Sequence, residues 1–449
     1  MAYAETTALP SAAAAADWPR TTRVLPWLAA ALVAMLFLVP IDSTLLGVPL
    51  PFDPRPDRLL LLVAFLVWAL AAAVGAVRRS QGGHRYGAVD LFLAAFALAA
   101  IASVAANVGP LSRAGELDIA TKKLVLLASY VAFYVFLVEV LRPTEVPALI
   151  RFVVALAVVV AVGTLVESLS EFNPFFWAAE VFGPPGTRVS PDSLLLTPGG
   201  RRDVTGPARH GLADSALLAM MLPLAVGGSV FAKLRKDRLL FGIAAALIFV
   251  GAVATLRRSG VILPFVGAAV VLVFSGRRML PTAAVFGVMV LATPIVAPGV
   301  VREVSNEFAR ENVNAQQSIA GRTSDYGAVV ADVRYGALLG RGFGSFEARR
   351  YRILDNQYLG AIVETGGIGL IAYTGLILAA AGSALVAARR RRSPDAWIAL
   401  AGAGSALVFL CANAFFDALA FPHAPYAFLL VAALVAVWRR GTREQPAEV

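Results

Sequence analysis

Apolar runs of roughly 20 residues, the length that crosses a hydrocarbon core, recur along this chain near 24–40, 59–77, 88–106, 124–141, 146–166, 212–232, 239–256, 260–275, 279–298, 358–388, 396–416 and 425–438. In lipid each must satisfy its own backbone polar groups, which a helix does within a single segment. The pattern predicts an all-α polytopic membrane protein with about twelve transmembrane helices. A composition of 59% hydrophobic and 15% charged residues excludes a soluble domain of this length. The 358–388 run is longer than a perpendicular helix needs, so it is expected to tilt or to begin above the membrane.

Basic residues set the expected orientation. With a cytoplasmic N-terminus, the inner segments carry 19 cations against nine acids, whereas the outer segments carry 19 against 20. The net charge of +10 is thus positive-inside bias, not a nucleic-acid patch, and both termini are expected in the cytoplasm. No cleavable signal peptide is expected in the Ala-rich start. The single Cys411 lies in an apolar run and excludes an intramolecular disulfide, while His84, His210 and His423 have no zinc spacing.

The expected organisation is a disordered cytoplasmic N-terminus over 1–23, one transmembrane domain over 24–438 and a cytoplasmic tail over 439–449. Two outer loops, 167–211 and 299–357, exceed the length of simple turns and are expected to carry function. The second is partly helical. Within 323–335 Tyr326, Val329, Val330 and Val333 share one face and Asp325 and Asp332 the other, with Thr323 or Ser324 as the cap. An ordered lid on the outer surface is expected. No internal repeat or matched pair of broken spans is visible, and Asp90 and Glu139 are the acids read as lying near spans.

Arg209, Arg258 and Arg322 each precede an expected helix start. A guanidinium beside free amides and the positive end of a helix dipole suits a phosphate or pyrophosphate, although a boundary arginine also serves as a headgroup anchor. Arg257 and Arg258 join apolar pieces of 18 and 16 residues, so their turn sits near the membrane edge, where cations are costly unless paired or functional. Arg341 lies within Gly340–Phe346, whose glycines permit close backbone approach. That stretch is no P-loop or dinucleotide fingerprint, and it reads more readily as a hinge.

Asp355 sits at the exit of the lid beside Asn356, Gln357 and Tyr358. It could take a proton from a sugar hydroxyl, or it could cap the following helix. Glu364 is expected to be buried against a polar partner. No acidic pair suited to a divalent cation occurs in the outer loops, so a phosphate here would be neutralised by arginine, with no metal site.

Taken in order, Arg258-Ser259-Gly260, Gly321-Arg322, the glycines 340, 342 and 344, Asp355-Asn356-Gln357-Tyr358-Leu359 and Glu364-Thr365-Gly366-Gly367-Ile368-Gly369 resemble the O-antigen ligase and O-antigen polymerase superfamily of polytopic membrane glycosyltransferases. The resemblance implies a GT-C type fold. It also implies inverting transfer, without metal or other cofactor, of a glycan from a polyprenyl (undecaprenyl) diphosphate to an acceptor hydroxyl. The expected setting is surface polysaccharide assembly on the outer face of the bacterial cytoplasmic membrane, as a ligase or a polymerase. The implied diphosphate-binding residues are Arg258 and Arg322, joined by Arg209, Arg257 and Arg341. Where the family commonly has a histidine base before an Asn, this chain has Asp355. His210 is either a substitute base or a residue that positions a helix start. His210, Asn356, Gln357 and Tyr358 are expected to support the site or bind the acceptor. A transporter or flippase for a lipid-linked glycan is the competing reading.

Overall fold

The apolar runs close their hydrogen bonds as helices, and the computed structural model describes residues 24–47, 54–73, 87–184, 186–189, 203–275, 280, 287, 326–334, 336–347, 350–390 and 395–441. In chain order these are α1 (Val24–Leu38), β1 (Thr44–Leu45), α2 (Pro56–Ala73), α3 (Ala88–Ala106), α4 (Val108–Ala114), α5 (Leu117–Val140), α6 (Val146–Ser170), α7 (Pro174–Phe182), β2 (Arg188–Val189), α8 (Gly211–Phe231), α9 (Arg235–Ala254) and α10 (Arg258–Ser275). They continue with α11 (326–334), α12 (Gln357–Arg390), α13 (Trp397–Ala412) and α14 (His423–Gly441).

Among the described residues eight helices are long and apolar enough to cross a membrane, and α1, α10 and α13 are shorter apolar helices. The run at 279–298 lies outside the described residues except for two positions, and so do the N-terminus, the C-terminal tail, Arg322 and its expected neighbours Thr323, Ser324 and Asp325. α5 begins at Leu117, well before its apolar run, because its first turns are a solvated extension where Lys122 pairs with Asp118 at 3.0 Å.

α8 is the central helix, with nearly every residue buried. α9, α10, α13 and α14 surround it, and α12 packs between α3 and α13. Leu62, Leu66 and Leu70 of α2 and Ile371 of α12 point outward, as expected of a lipid-facing surface. The only sheet among the described residues is the antiparallel pair β1–β2, with Thr44 opposite Val189 and Leu45 opposite Arg188. It ties the segment after α1 to the first long loop.

The length of the 358–388 run has a specific cause. α12 is two helices in line, broken at Gly366 (φ 64°, ψ −167°), a region of backbone space open essentially to glycine alone. The break frees amides and carbonyls, and the Gly336–Gly344 turn meets them. Arg341 N donates to Val363 O (3.0 Å) and Gly342 N to Glu364 O (3.1 Å), while Gly367 N donates to Ala337 O (2.9 Å) and Ile368 N to Leu338 O (3.3 Å). From α3, Ser103 Oγ donates to Glu364 O (2.6 Å), and Asn107 Nδ2 to Gly340 O (3.1 Å).

The glycine turn is therefore a wedge seated in a broken helix. The Glu364 carboxylate accepts from Phe346 N (3.1 Å) on the same wedge. α11 rests on the first half of α12 through Val329, which meets Leu354 and Val363, with Val333 beside them. Tyr326 and Val330, expected on the same apolar face, are exposed, because the first half of α12 offers only this small contact.

A Cβ at Gly366 would come within 2.3 Å of the Leu338 carbonyl carbon. Gly366→Ala is expected to cost about 3 kcal/mol or more, whereas Gly382→Ala, with nothing within 4 Å of the added carbon, should be tolerated. Thermal unfolding of the two variants in detergent checks this, and equal melting temperatures would refute it.

Candidate active site

The turn between α9 and α10 explains two of the three residues in Arg258-Ser259-Gly260. A Cβ on Gly260 would lie 2.1 Å from Ala252 O and 2.6 Å from Thr255 Oγ1, so only glycine lets α10 fold back this tightly. Ser259 Oγ bonds Ser215 Oγ of α8 at 2.9 Å. Arg258, partly exposed, stands at the first position of α10, beside the amides of the first turn. Leu256 supplies the bend with a left-handed φ of 57°.

Beside it, Arg257 Nη2 contacts Asp203 Oδ1 at 2.6 Å, and the Asp203 side chain is 3% exposed. Asp203 Oδ2 lies 3.7 Å from His210 Nε2. His210 Nδ1 accepts from Leu212 N at 3.1 Å, which makes the imidazole the cap of α8. With Nδ1 accepting, the neutral ring carries its proton on Nε2, toward Asp203. Burial, with Arg257 and Arg209 acting alongside it, holds the imidazole pKa below its usual value, and Asp203 opposes the shift. His210 is thus a neutral positioning group whose acceptor nitrogen is already engaged. Arg209 follows on the same loop, its side chain exposed and its amide donating to Asp42 Oδ2 at 3.1 Å.

Buried acids hold this loop. Glu167 of α6 accepts from Gly206 N (2.8 Å), Thr205 N (3.2 Å) and Asn173 Nδ2 (2.9 Å). Asp214 of α8 accepts from Thr164 Oγ1 (2.8 Å). With Glu364, these acids lie within membrane-length helices, which corrects the expectation that only Asp90 and Glu139 sit near spans. All three have protein partners, so none marks an open ion path.

At the lid's exit the capping question has an answer. Asn356, not Asp355, caps α12, with its Oδ1 accepting from Tyr358 N (2.9 Å) and Leu359 N (3.3 Å). Asp355 is exposed on the preceding turn. Gln357 is buried, its Oε1 accepting from Leu419 N (2.7 Å) and its amide donating to Asn413 O (2.8 Å). The Tyr358 hydroxyl donates to Leu410 O (2.7 Å). Tyr358 thus locks α12 to the end of α13, and Gln357 locks it to the 413–422 segment that follows.

That segment bridges the two halves of the site. Leu419 is held by Gln357, and Phe421, two residues on and so at most about 7 Å away, lies against the His210 ring with centroids 5.6 Å apart. Asp417 sits on the same segment, where burial raises its carboxyl pKa above the usual range, Asp355 adds to the rise and Lys123 works against it.

Arg341 points elsewhere. Its guanidinium contacts Glu116 (3.3 Å) and Asp332 (3.4 Å), and its centre lies 4.1 Å from the Tyr351 ring centroid. It joins the wedge to the start of α5 and to α11. Asp203, Asp417 and Glu167 were absent from the sequence reading. Nothing in their local sequence distinguishes them from loop or boundary acids.

The family model described as O-antigen ligase matches residues 243–374. This stretch runs from α9 through the Arg257–Arg258 turn, the second long loop and the wedge to just past the break in α12. Arg209, His210 and Asp203 lie outside it. No curated protein matches the chain. The match over residues 243–374 supports placing the chain in the O-antigen ligase and polymerase superfamily.

Proposed function

We propose that the protein moves a glycan from a polyprenyl diphosphate to an acceptor hydroxyl, as a ligase or polymerase of surface polysaccharide, at the outer face of the bacterial cytoplasmic membrane. The observation that carries this reading is the meeting of Arg209, Arg257 and Arg258 at the starts of α8 and α10, joined by one short segment to the exposed Asp355. Asp203 pairs with Arg257, and three forked guanidiniums on neighbouring turns suit the geometry of a diphosphate. Arg209 and Arg258 lie at the starts of apolar helices, which supports a position near lipid headgroups, where a polyprenyl diphosphate would present its phosphates.

In the proposed reaction the acceptor oxygen attacks the anomeric carbon from the face opposite the diphosphate. The new C–O bond forms as the bond to the diphosphate oxygen breaks, and the electron pair leaves with the diphosphate. Asp355 takes the hydroxyl proton. The arginines compensate charge that grows on the leaving group, an effect that often dominates such steps. Arg322, at the expected start of the lid helix, belongs to the same proposal. A capping role for Asn356 supports Asp355 as the base, since the cap no longer requires it.

Arg258→Ala and Arg322→Ala are each expected to lower transfer by about 100-fold or more while the protein stays folded in the membrane. Full activity in both variants would overturn the assignment. The reaction is tested with purified protein, a polyprenyl-diphosphate glycan and candidate acceptors in EDTA, where product is expected without a nucleotide sugar. A carrier would move the lipid and make no product.

Asp355 and Asn356 separate chemistry from capping. Asp355→Asn should reduce kcat by about 10²-fold or more with no fall in melting temperature. Asn356→Ala should cost about 1 kcal/mol of stability with a smaller effect on kcat. The opposite pattern would reassign the two residues.

A further inference from the structure

A row of exposed aromatic rings runs along α7, at the arginine end of the bundle. The rings of Phe172, Trp177 and Phe182 follow one another with centroids 6.1 and 5.9 Å apart. Trp177 is 48% exposed, Phe182 76%, and Val181, one turn beyond Trp177, 55%. The other side of the helix is packed. Phe175 and Phe176 are buried, and a Cβ on Gly163 of α6 would lie 2.4 Å from the Phe175 ring. Only glycine lets α7 fold back on α6 this closely, and Glu171, with a φ of 58°, makes the turn between them. So much apolar surface on one short helix is costly in water, and this face calls for an apolar partner.

The level at which α7 sits identifies that partner. α6 is a membrane-length helix, and the rise from Val146 to Gly163 is about 26 Å, close to the roughly 30 Å of a hydrocarbon core. α7 therefore crosses α6 where hydrocarbon gives way to headgroups. Val159 and Val166 lie within about 60° of Gly163 round the α6 axis and are exposed. The face on which α7 packs thus borders the lipid-facing side of α6. A tryptophan at this level keeps its ring in hydrocarbon and its N–H near water. Glu180, exposed on one flank of α7, supplies the polar side that such a helix turns to water.

The same helix is tied to the loop that carries Arg209. Asn173 Oδ1 caps α7 by accepting from Phe175 N (2.9 Å) and Phe176 N (3.1 Å), while its Nδ2 donates to Gly206 O (2.8 Å) and Glu167 Oε1 (2.9 Å). We infer that α7 is an interfacial helix that seats Trp177, Val181 and Phe182 in the lipid bilayer and, through Asn173, fixes the depth at which the Arg209 loop stands relative to the headgroups. The inference rests on α6 spanning the membrane and does not depend on the proposed glycan transfer.

The test places the full chain in vesicles of phosphatidylethanolamine and phosphatidylglycerol. Cys411→Ala removes the native thiol, and a nitroxide is attached in turn at Trp177→Cys, Val181→Cys and Glu180→Cys. Oxygen, which concentrates in lipid, is expected to relax the labels at 177 and 181 more than a water-soluble nickel chelate does, with the order reversed at 180. Chelate dominance at 177 and 181 would place α7 in water, and access by neither reagent would place it under protein; either result overturns the lipid seat. Val181→Cys removes little volume, so it reports even where Trp177→Cys fails to fold. For the link to the loop, Asn173→Ala is expected to speed amide exchange by about fivefold, the effect of a lost helix cap, at Phe175 and Phe176 and also at Thr205 and Gly206, with α9 unchanged. Faster exchange at α7 alone, at neither segment, or equally across α9 would overturn the link.

Discussion

A helix interrupted inside a membrane protein must have its freed amides and carbonyls met by protein, and the break at Gly366 places that demand at the centre of this fold. The wedge from Gly336 to Gly344 meets it with four backbone bonds, and Ser103 and Asn107 of α3 complete the joint. α11 then settles on the half-helix that the break creates. Asp355 and Asn356 are held in place because they open that half-helix. α11, the wedge and the proposed base are thus positioned by one constraint on backbone hydrogen bonding.

The arginines at this end of the bundle serve different local roles. Arg341 is held between Glu116 and Asp332 and acts as a fastener. Arg257 is matched by Asp203, and Arg209 and Arg258 lie on the neighbouring turns that open α8 and α10. Glu167 and Asp214 are met by neutral donors among the described residues: Glu167 holds the loop that carries Arg209 and His210, and Asp214 ties α8 to α6. The structure uses most of its buried acids to fix loops, in a setting where apolar packing alone gives little directional control.

Much of the architecture was legible in the sequence, because a membrane-length helix announces itself by apolar length alone. The excess length of the α12 run was visible too, though its cause was not: a break needs a partner to fill it, and the wedge that does so is distant from α3, which completes the joint. The glycines of Gly340–Phe346 marked a tight turn, but not the wedge that it forms in the break of α12. In the site, the place of Arg258 at the start of a helix was readable from the sequence. The roles of Asn356 and His210 as caps, and of Asp203 as partner to Arg257, depended on geometry: adjacent residues with the same capping propensity differ only in which one faces the amides.

Leu256 adopts a left-handed φ that costs a non-glycine residue roughly 1–2 kcal/mol, yet its side chain is only 7% exposed. Burying a leucine returns about as much or more, so the bend persists because the side chain is anchored. A glycine there would relax the backbone and also remove the anchor, leaving the two arginines that follow free to swing. Rigidity at this corner is therefore a product of strain balanced by packing, and the spacing of two like charges is set by a hydrocarbon side chain.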